Sequence, residues 1–187
     1  MSGFSITDLP LAGLKKIERQ LLRDERGFLS RVFCAAELSA CGWHVPVSQI
    51  NHTYTAKKGT VRGLHFQHPP FSEIKLVSCL QGQVWDVVVD LRADSDTFLQ
   101  WHAENLTSSN GSALLIPEGF AHGFQTMCDD VELLYCHSEA YRPKAEAGLN
   151  LLDPLLSINW PIPISECSTR DKAFSLLDAE YAGVVLK

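Results

Sequence analysis

The sequence predicts an all-β sandwich or barrel. Between residues 47 and 137, short apolar runs recur at near-regular spacing. The gaps between them carry turn residues: Gln81-Gly82, the tetrapeptide SSNG at 108–111, and Cys128-Asp129-Asp130. Several runs also alternate apolar and polar side chains, the period of a strand with one face in a core.

In chain order, residues 1–20 read as an edge strand and an approach segment. Residues 24–27 read as a turn, 28–33 as a strand, and 35–40 as a short helix closed by Gly42. A strand is expected over 47–55, and the polar turn AKKG (56–59) leads into GTVRGLHFQ (59–67). His68-Pro69-Pro70 ends any ladder there, because proline has no N–H to donate. Strands are expected over 74–79 and 84–91, then a polar loop over 93–97, then strands over 100–106 and 112–116. The segment PEGFAHG (117–123) is too rich in Gly and Pro for a regular element, so the next strands are expected at 124–126 and 131–137. Turns follow, then Trp160 among three prolines, and a short helix over 172–180. With no repeat, low-complexity tract or linker, one domain over 1–187 is expected.

Hydrophobic residues make up 45% of the 187, enough for a sizeable core. The net charge of −6 leaves no basic excess to neutralise phosphates or lipid headgroups, which argues against a general nucleic-acid or membrane binder. No apolar run approaches the roughly 20 residues that span a bilayer. The N-terminus lacks a basic start, apolar block and small-residue cleavage site, so no signal peptide is expected. The six cysteines form no CxxC, and several sit in apolar runs. The expectation is reduced thiols in the cytoplasm.

Five residues stand out as chemistry-bearing. In a strand over 61–67, Gly63, His65 and Gln67 share one face and Leu64 and Phe66 the other, so His65 belongs to a polar face or pocket. Lys75 alternates with Val77 and Cys79 in a run with little other charge, and a buried ammonium needs a partner. His122 is bracketed by glycines in a loop-like segment. Tyr135 shares parity with Val131 and Leu133 and so points inward, where its hydroxyl needs a partner. Asp171 precedes Lys172 in CSTRD. Each also has a plainer reading: a surface or hydrogen-bonded core His65, an edge-strand Lys75, a solvent-facing His122, a core Tyr135, and an Asp171 that caps a helix starting at Lys172. Arg26, Gln49, Asn51 and Arg62 could together hold a phosphorylated ligand, or singly be solvated. His65, His68, Glu73 and His122 also suggest the ligand set of metal-binding cupins, but His-x-x-His turns His68 away from the face of His65.

Taken together, RGLHFQ, KLV followed by G-x-x-x-D-V-x-V-D-L-R, IPEGFAHGF, E-x-L-Y, and E-x-G before Asp153-Pro154 resemble dTDP-4-dehydrorhamnose 3,5-epimerases over most of the chain. The resemblance implies a cupin-type double-stranded β-helix, a jelly-roll barrel with a few short helices, as a homodimer. It implies a nucleotide-diphosphate 4-keto-6-deoxyhexose as substrate, and no metal or redox cofactor. His65 matches the family's catalytic base, Asp171 its carboxylate partner and Tyr135 the acid. Lys75 and His122 match residues near the ketone. Arg26, Gln49, Asn51 and Arg62 match positions that hold the nucleotide diphosphate, and Tyr141 a further tyrosine near the substrate. Two departures stand out: Arg31 where many relatives carry Glu, and Cys136-His137-Ser138-Glu139 in place of a stretch richer in Lys and Thr. They leave the carrier nucleotide, and inversion at C3, C5 or both, open. Two rival functions are a metal-dependent cupin enzyme using His65, Glu73 and His122, and a non-catalytic barrel that binds nucleotide sugars.

Overall fold

Two antiparallel sheets carry the fold, which a computed structural model describes over residues 3–186. The first sheet has the spatial order β1 (Phe4–Asp8), β2 (Lys15–Arg19), β10 (Ser112–Ile116), β7 (Lys75–Gln81), β12 (Val131–His137), β5 (Gln49–Thr55). The second has the order β13 (Glu146–Gly148), β6 (Thr60–Gln67), β11 (Phe120–Thr126), β8 (Gln83–Asp90), β9 (Trp101–Thr107), with β14 (Glu166–Cys167) pairing β6 in parallel. A separate hairpin, β3 (Leu21–Asp24) with β4 (Gly27–Ser30), projects from the N-terminal part. The helices are single turns, α1 (Ala35–Leu38) and α2 (Thr169–Lys172), plus a 3₁₀ turn over Ser39–Cys41.

Apolar side chains pack in three layers. Between the sheets, Val77, Leu114 and Leu133 of the first share a cluster with Val84, Val88 and Phe124 of the second. On the outer side of the first sheet, Ile17, Leu76 and Leu115 lie under Leu38 and Trp43. On the outer side of the second, Val87, Val89 and Ala121 lie under Leu149, Leu156 and Val184. Each fully buried side chain of this size contributes about 1.5–3 kcal/mol. Burial on both faces explains why β8 reads VWDVVVD and not as a clean alternation.

Two expectations are corrected. The segment over 117–123 is not irregular throughout, because β11 begins at Phe120 and pairs β8 and β6. Its glycine belongs to the pairing: a Cβ on Gly123 would lie 2.8 Å from the Arg62 carbonyl oxygen. The helix expected over 172–180 is instead the single turn Thr169–Lys172. Its N-cap is Ser168, whose hydroxyl accepts from the Asp171 N–H, so Asp171 does not start the helix.

Candidate active site

Strand register decides which side chains meet. On the first sheet, Gln49, His137 and Lys75 lie side by side on β5, β12 and β7, and Asn51, Tyr135 and Val77 form the next row. Residues directly opposite share a face, so both rows look toward the inter-sheet space with Val77. On the second sheet His65 lies opposite His122, and Arg62 lies opposite Phe124. Simple alternation would send Arg62 and His65 to opposite faces. The register of β6 against β11 slips between these two pairs, so Gly63 and Leu64 of β6 oppose the single Gly123 of β11, and both side chains turn inward. Gly63 sits at that slip with φ of 128°. A Cβ there would meet Gly123 Cα at 2.5 Å and the His122 oxygen at 2.9 Å. The close neighbour of Gly63 is therefore the β11 backbone, not the ligand space.

A cavity of about 800 Å³ opens at this end of the barrel. His65, Lys75, His122, Tyr135 and Asp171 all line it, as do Gln49, Asn51, Arg62 and Tyr141. Arg26 does not. It sits at the β3–β4 turn with its side chain 89% exposed and paired to Asp24.

His65 Nε2 lies 2.8 Å from Asp171 Oδ1, and Asp171 Oδ2 accepts from the Gly63 N–H at 3.3 Å. The carboxylate thus ties the imidazole to the β6 slip. With the Nε2 proton given to Asp171, the lone pair sits on Nδ1. Burial pushes the Asp171 carboxyl up, but the hydrogen bond and charge of His65, with the Gly63 N–H, outweigh it and hold the group below its ordinary value. Arg170 Nη2 lies 3.1 Å from the same imidazole nitrogen, which cannot accept from it while its proton points to Asp171; Arg170 is held instead by Glu146 at 2.9 Å. Glu146 also accepts from the Tyr141 hydroxyl at 2.7 Å.

Lys75 is no edge residue, since β7 lies between β10 and β12. Its ammonium is buried, 2.9 Å from Glu73 Oε1 and 3.1 Å from the His65 carbonyl oxygen. Glu73 Oε2 accepts from Gln67 Nε2 at 2.6 Å. His122, expected in a loop, is a buried strand residue whose Nε2 lies 2.9–3.0 Å from both oxygens of Asp86. Asp86 is fully buried, and burial raises its pKa although His122 pulls the other way. Tyr135 packs edge-to-face on His122 and parallel to His137. Burial, with Asp86 nearby, holds the phenolic proton on more tightly than usual.

Sequence reasoning gave no role to Asp86, Glu146 or Arg170, and named His137 only within a stretch that departs from relatives. Asp86 was visible in the motif G-x-x-x-D, and its parity with Val84 and Val88 aims it at the same interior as His122. His68 is exposed and packs edge-on against Phe66. Among the described residues no group of three or more His, Cys, Asp or Glu is arranged to hold a metal ion, so His65, His68, Glu73 and His122 do not form the cupin ligand set.

The family model for dTDP-4-dehydrorhamnose 3,5-epimerase matches residues 8–179. The chain belongs to the dTDP-4-dehydrorhamnose 3,5-epimerase family. A family member from Salmonella typhimurium, a dTDP-4-dehydrorhamnose 3,5-epimerase, is 40% identical over 164 residues, covering 87% of this chain and 89% of that protein. A dTDP-4-dehydrorhamnose 3-epimerase from Streptomyces niveus is 36% identical over 179 residues, covering 95% and 86%. The crystal structure of a 3,5-epimerase from Legionella pneumophila in complex with dTDP-4-keto-L-rhamnose superposes with a TM-score of 0.90 at 35% identity, covering 98% of this chain and 99% of that one. The all-β expectation is met, and the fold is the family's cupin-like jelly roll.

Proposed function

We propose that this isomerase inverts C3, C5 or both of a dTDP-linked 4-keto-6-deoxyhexose, in deoxysugar biosynthesis. The observation that carries this is the His65–Asp171 pair on one wall of a cavity whose other wall, on the opposite sheet, bears Tyr135. Inversion needs a proton removed on one face of a carbon and returned on the other. His65 takes the proton from the carbon next to the ketone, and the C–H electron pair moves into an enolate on O4. Asp171 fixes the tautomer and stabilises the imidazolium. Lys75 donates to the enolate oxygen, and a well-placed donor there is worth roughly 3–4 kcal/mol; His122 lines the same cavity with its Nε2 turned to Asp86. Tyr135 then gives its proton to the carbanionic carbon from the other face. A phenol that holds its proton tightly suits this role, since it releases only to a strong base. Arg62, anchored to Thr55 Oγ1 at 3.0 Å and the Tyr54 carbonyl at 3.2 Å, is the cation for the diphosphate, with Gln49, Asn51 and Tyr141 beside it.

No cofactor enters this chemistry, and activity that survives chelation supports that. A homodimer and a cytoplasmic location belong to the same reading. Arg26 can hold a nucleotide only if the exposed β3–β4 hairpin, with Leu22, Phe28 and Leu29 bare on it, reaches a second copy.

The test is NMR of dTDP-4-keto-6-deoxyglucose with the protein in D2O. Deuterium at both C3 and C5 supports the double epimerase, and deuterium at one carbon a single epimerase. Ligand binding with no exchange at either refutes catalysis on this substrate. His65→Ala and Asp171→Asn should cut exchange at both carbons, while Tyr135→Phe should spare exchange more than inversion. A Tyr135→Phe protein like wild type in both removes Tyr135 as the acid.

A further inference from the structure

A relay of hydrogen bonds fixes the tautomer of His137, a cavity residue in the stretch where the sequence departs from its relatives. It starts at a group with no freedom. The Tyr141 backbone N–H can only donate, and it meets Gln49 Oε1 at 2.9 Å. That orients the Gln49 amide, whose Nε2 donates to Asn51 Oδ1 at 3.0 Å. With its oxygen so used, Asn51 turns Nδ2 toward His137 Nε2, 3.4 Å away. An amide NH₂ only donates, so Nε2 must carry the lone pair and Nδ1 the proton.

The ring is also held neutral. Burial and the Lys75 ammonium directly across the strand push His137 down to about 4. Glu73 opposes that shift and His122 adds to it. Tyr135, on the same strand, stacks on the ring at 5.9 Å and 12°. Among the described residues the Nδ1–H has no protein acceptor, and it is not one of the buried unpaired atoms. It is a donor open to the cavity. A ring kept only to pack on Tyr135 would need neither the nitrogen nor the relay.

We propose that His137 determines sugar specificity: its neutral imidazole donates from Nδ1 to an uncharged oxygen, hydroxyl or ketone, of the hexose bound beside Tyr135. The inference rests on the nucleotide-sugar reading above. A neutral donor discriminates for the sugar, while phosphate oxygens are served by the Arg62 cation.

Two measurements test it. Calorimetry compares dTDP with dTDP-glucose on wild type and His137→Phe, which keeps an aromatic ring against Tyr135. Both proteins should bind dTDP alike. The gain in affinity from the glucose unit should fall roughly five- to tenfold in the variant, the effect of one neutral hydrogen bond. A wild type that gains nothing from glucose, or a variant that keeps the gain, overturns the proposal. A wild type that binds neither ligand overturns the nucleotide-sugar reading itself, and this proposal with it. Independently, ¹⁵N NMR of the histidines in the unaltered protein should show His137 with Nδ1 protonated and Nε2 bare from about pH 5.5 to 8. Its signal is the one missing from His137→Phe, or from His137→Gln if the first variant does not fold. An Nε2–H tautomer, or titration near the ordinary histidine value, overturns the assignment.

Discussion

Replacing Gly63 by alanine should unfold the site from its backbone outward. The added Cβ would lie 2.5 Å from Gly123 Cα, 2.9 Å from the His122 oxygen and 3.3 Å from Gly123 N. All three are backbone atoms of β11, so no side chain can swing away to relieve the overlap. The φ of 128° adds a conformational penalty for any L side chain. Strain of that kind costs about 1–3 kcal/mol. Overpacking against a fixed wall adds about as much. A total near 3 kcal/mol lowers the melting temperature by roughly 6–12 °C in a chain of this size. Because β6 and β11 would have to part where His65 faces His122, isotope exchange should fall as well. The assay is urea denaturation without any ligand, followed by exchange in D2O. Loss of stability in the ligand-free protein distinguishes strand crowding from a side chain that merely obstructs substrate. A Gly63→Ala protein with wild-type stability refutes the reasoning, whatever its activity.

Three further outcomes follow from the same geometry. Lys75→Met should cost about 3 kcal/mol in urea denaturation, because Glu73 is left buried without its cation. Adding Glu73→Gln should restore most of that stability without restoring exchange, and wild-type stability in the single variant would mean the pair is not as buried as described. Stability should also fall with pH more steeply in wild type than in His137→Phe. Above the ordinary histidine value of 6.5 the ring is neutral folded or unfolded and contributes nothing; below it only the unfolded chain takes the proton, until about 4. The gap between the two proteins should therefore open as pH falls, reaching about 2 kcal/mol near pH 4.5 after allowance for the ring's partial exposure. A gap that stays constant from pH 7.5 to 4.5 would show that the folded ring protonates normally. Ser168→Ala should weaken α2, letting Asp171 drift, and lower exchange at both carbons several-fold; exchange at the wild-type rate would show that the cap does not position the carboxylate.

Where strands are regular, the sequence shows which way side chains point. Lys75 and Tyr135 face the interior as their parity with Val77 and Leu133 requires. Where the backbone departs from the ideal period, parity fails. Arg62 and His65 share a face only through the slip at Gly63, and no count of apolar positions reveals a slip. The strand through His122 was hidden for a related reason. Pro117, Gly119 and Gly123 look like turn residues, yet Gly123 is there because two backbones approach too closely for a side chain. Asp171 has the residue type of a helix cap, and only the structure shows Ser168 in that role, leaving the carboxylate free for His65. Asp86 was passed over although its motif and parity mark it, because both faces of its strand are buried and its surroundings read as plain core. Arg26 was matched by resemblance alone, and nothing in one chain brings it to the cavity.

The apolar filling between the sheets has a second consequence. His65 hangs from one wall and Tyr135 from the other, so the thickness of that filling sets the gap between them, across which the proposed reaction lifts and replaces a hydrogen. Sheets packed face to face lie about 10 Å apart, and a methylene more or less is felt through such a core. Val77, Val88 and Leu114 border no ligand space, yet they act as spacers in a caliper. On the mechanism proposed above, their size tunes how well the two jaws close on one carbon atom.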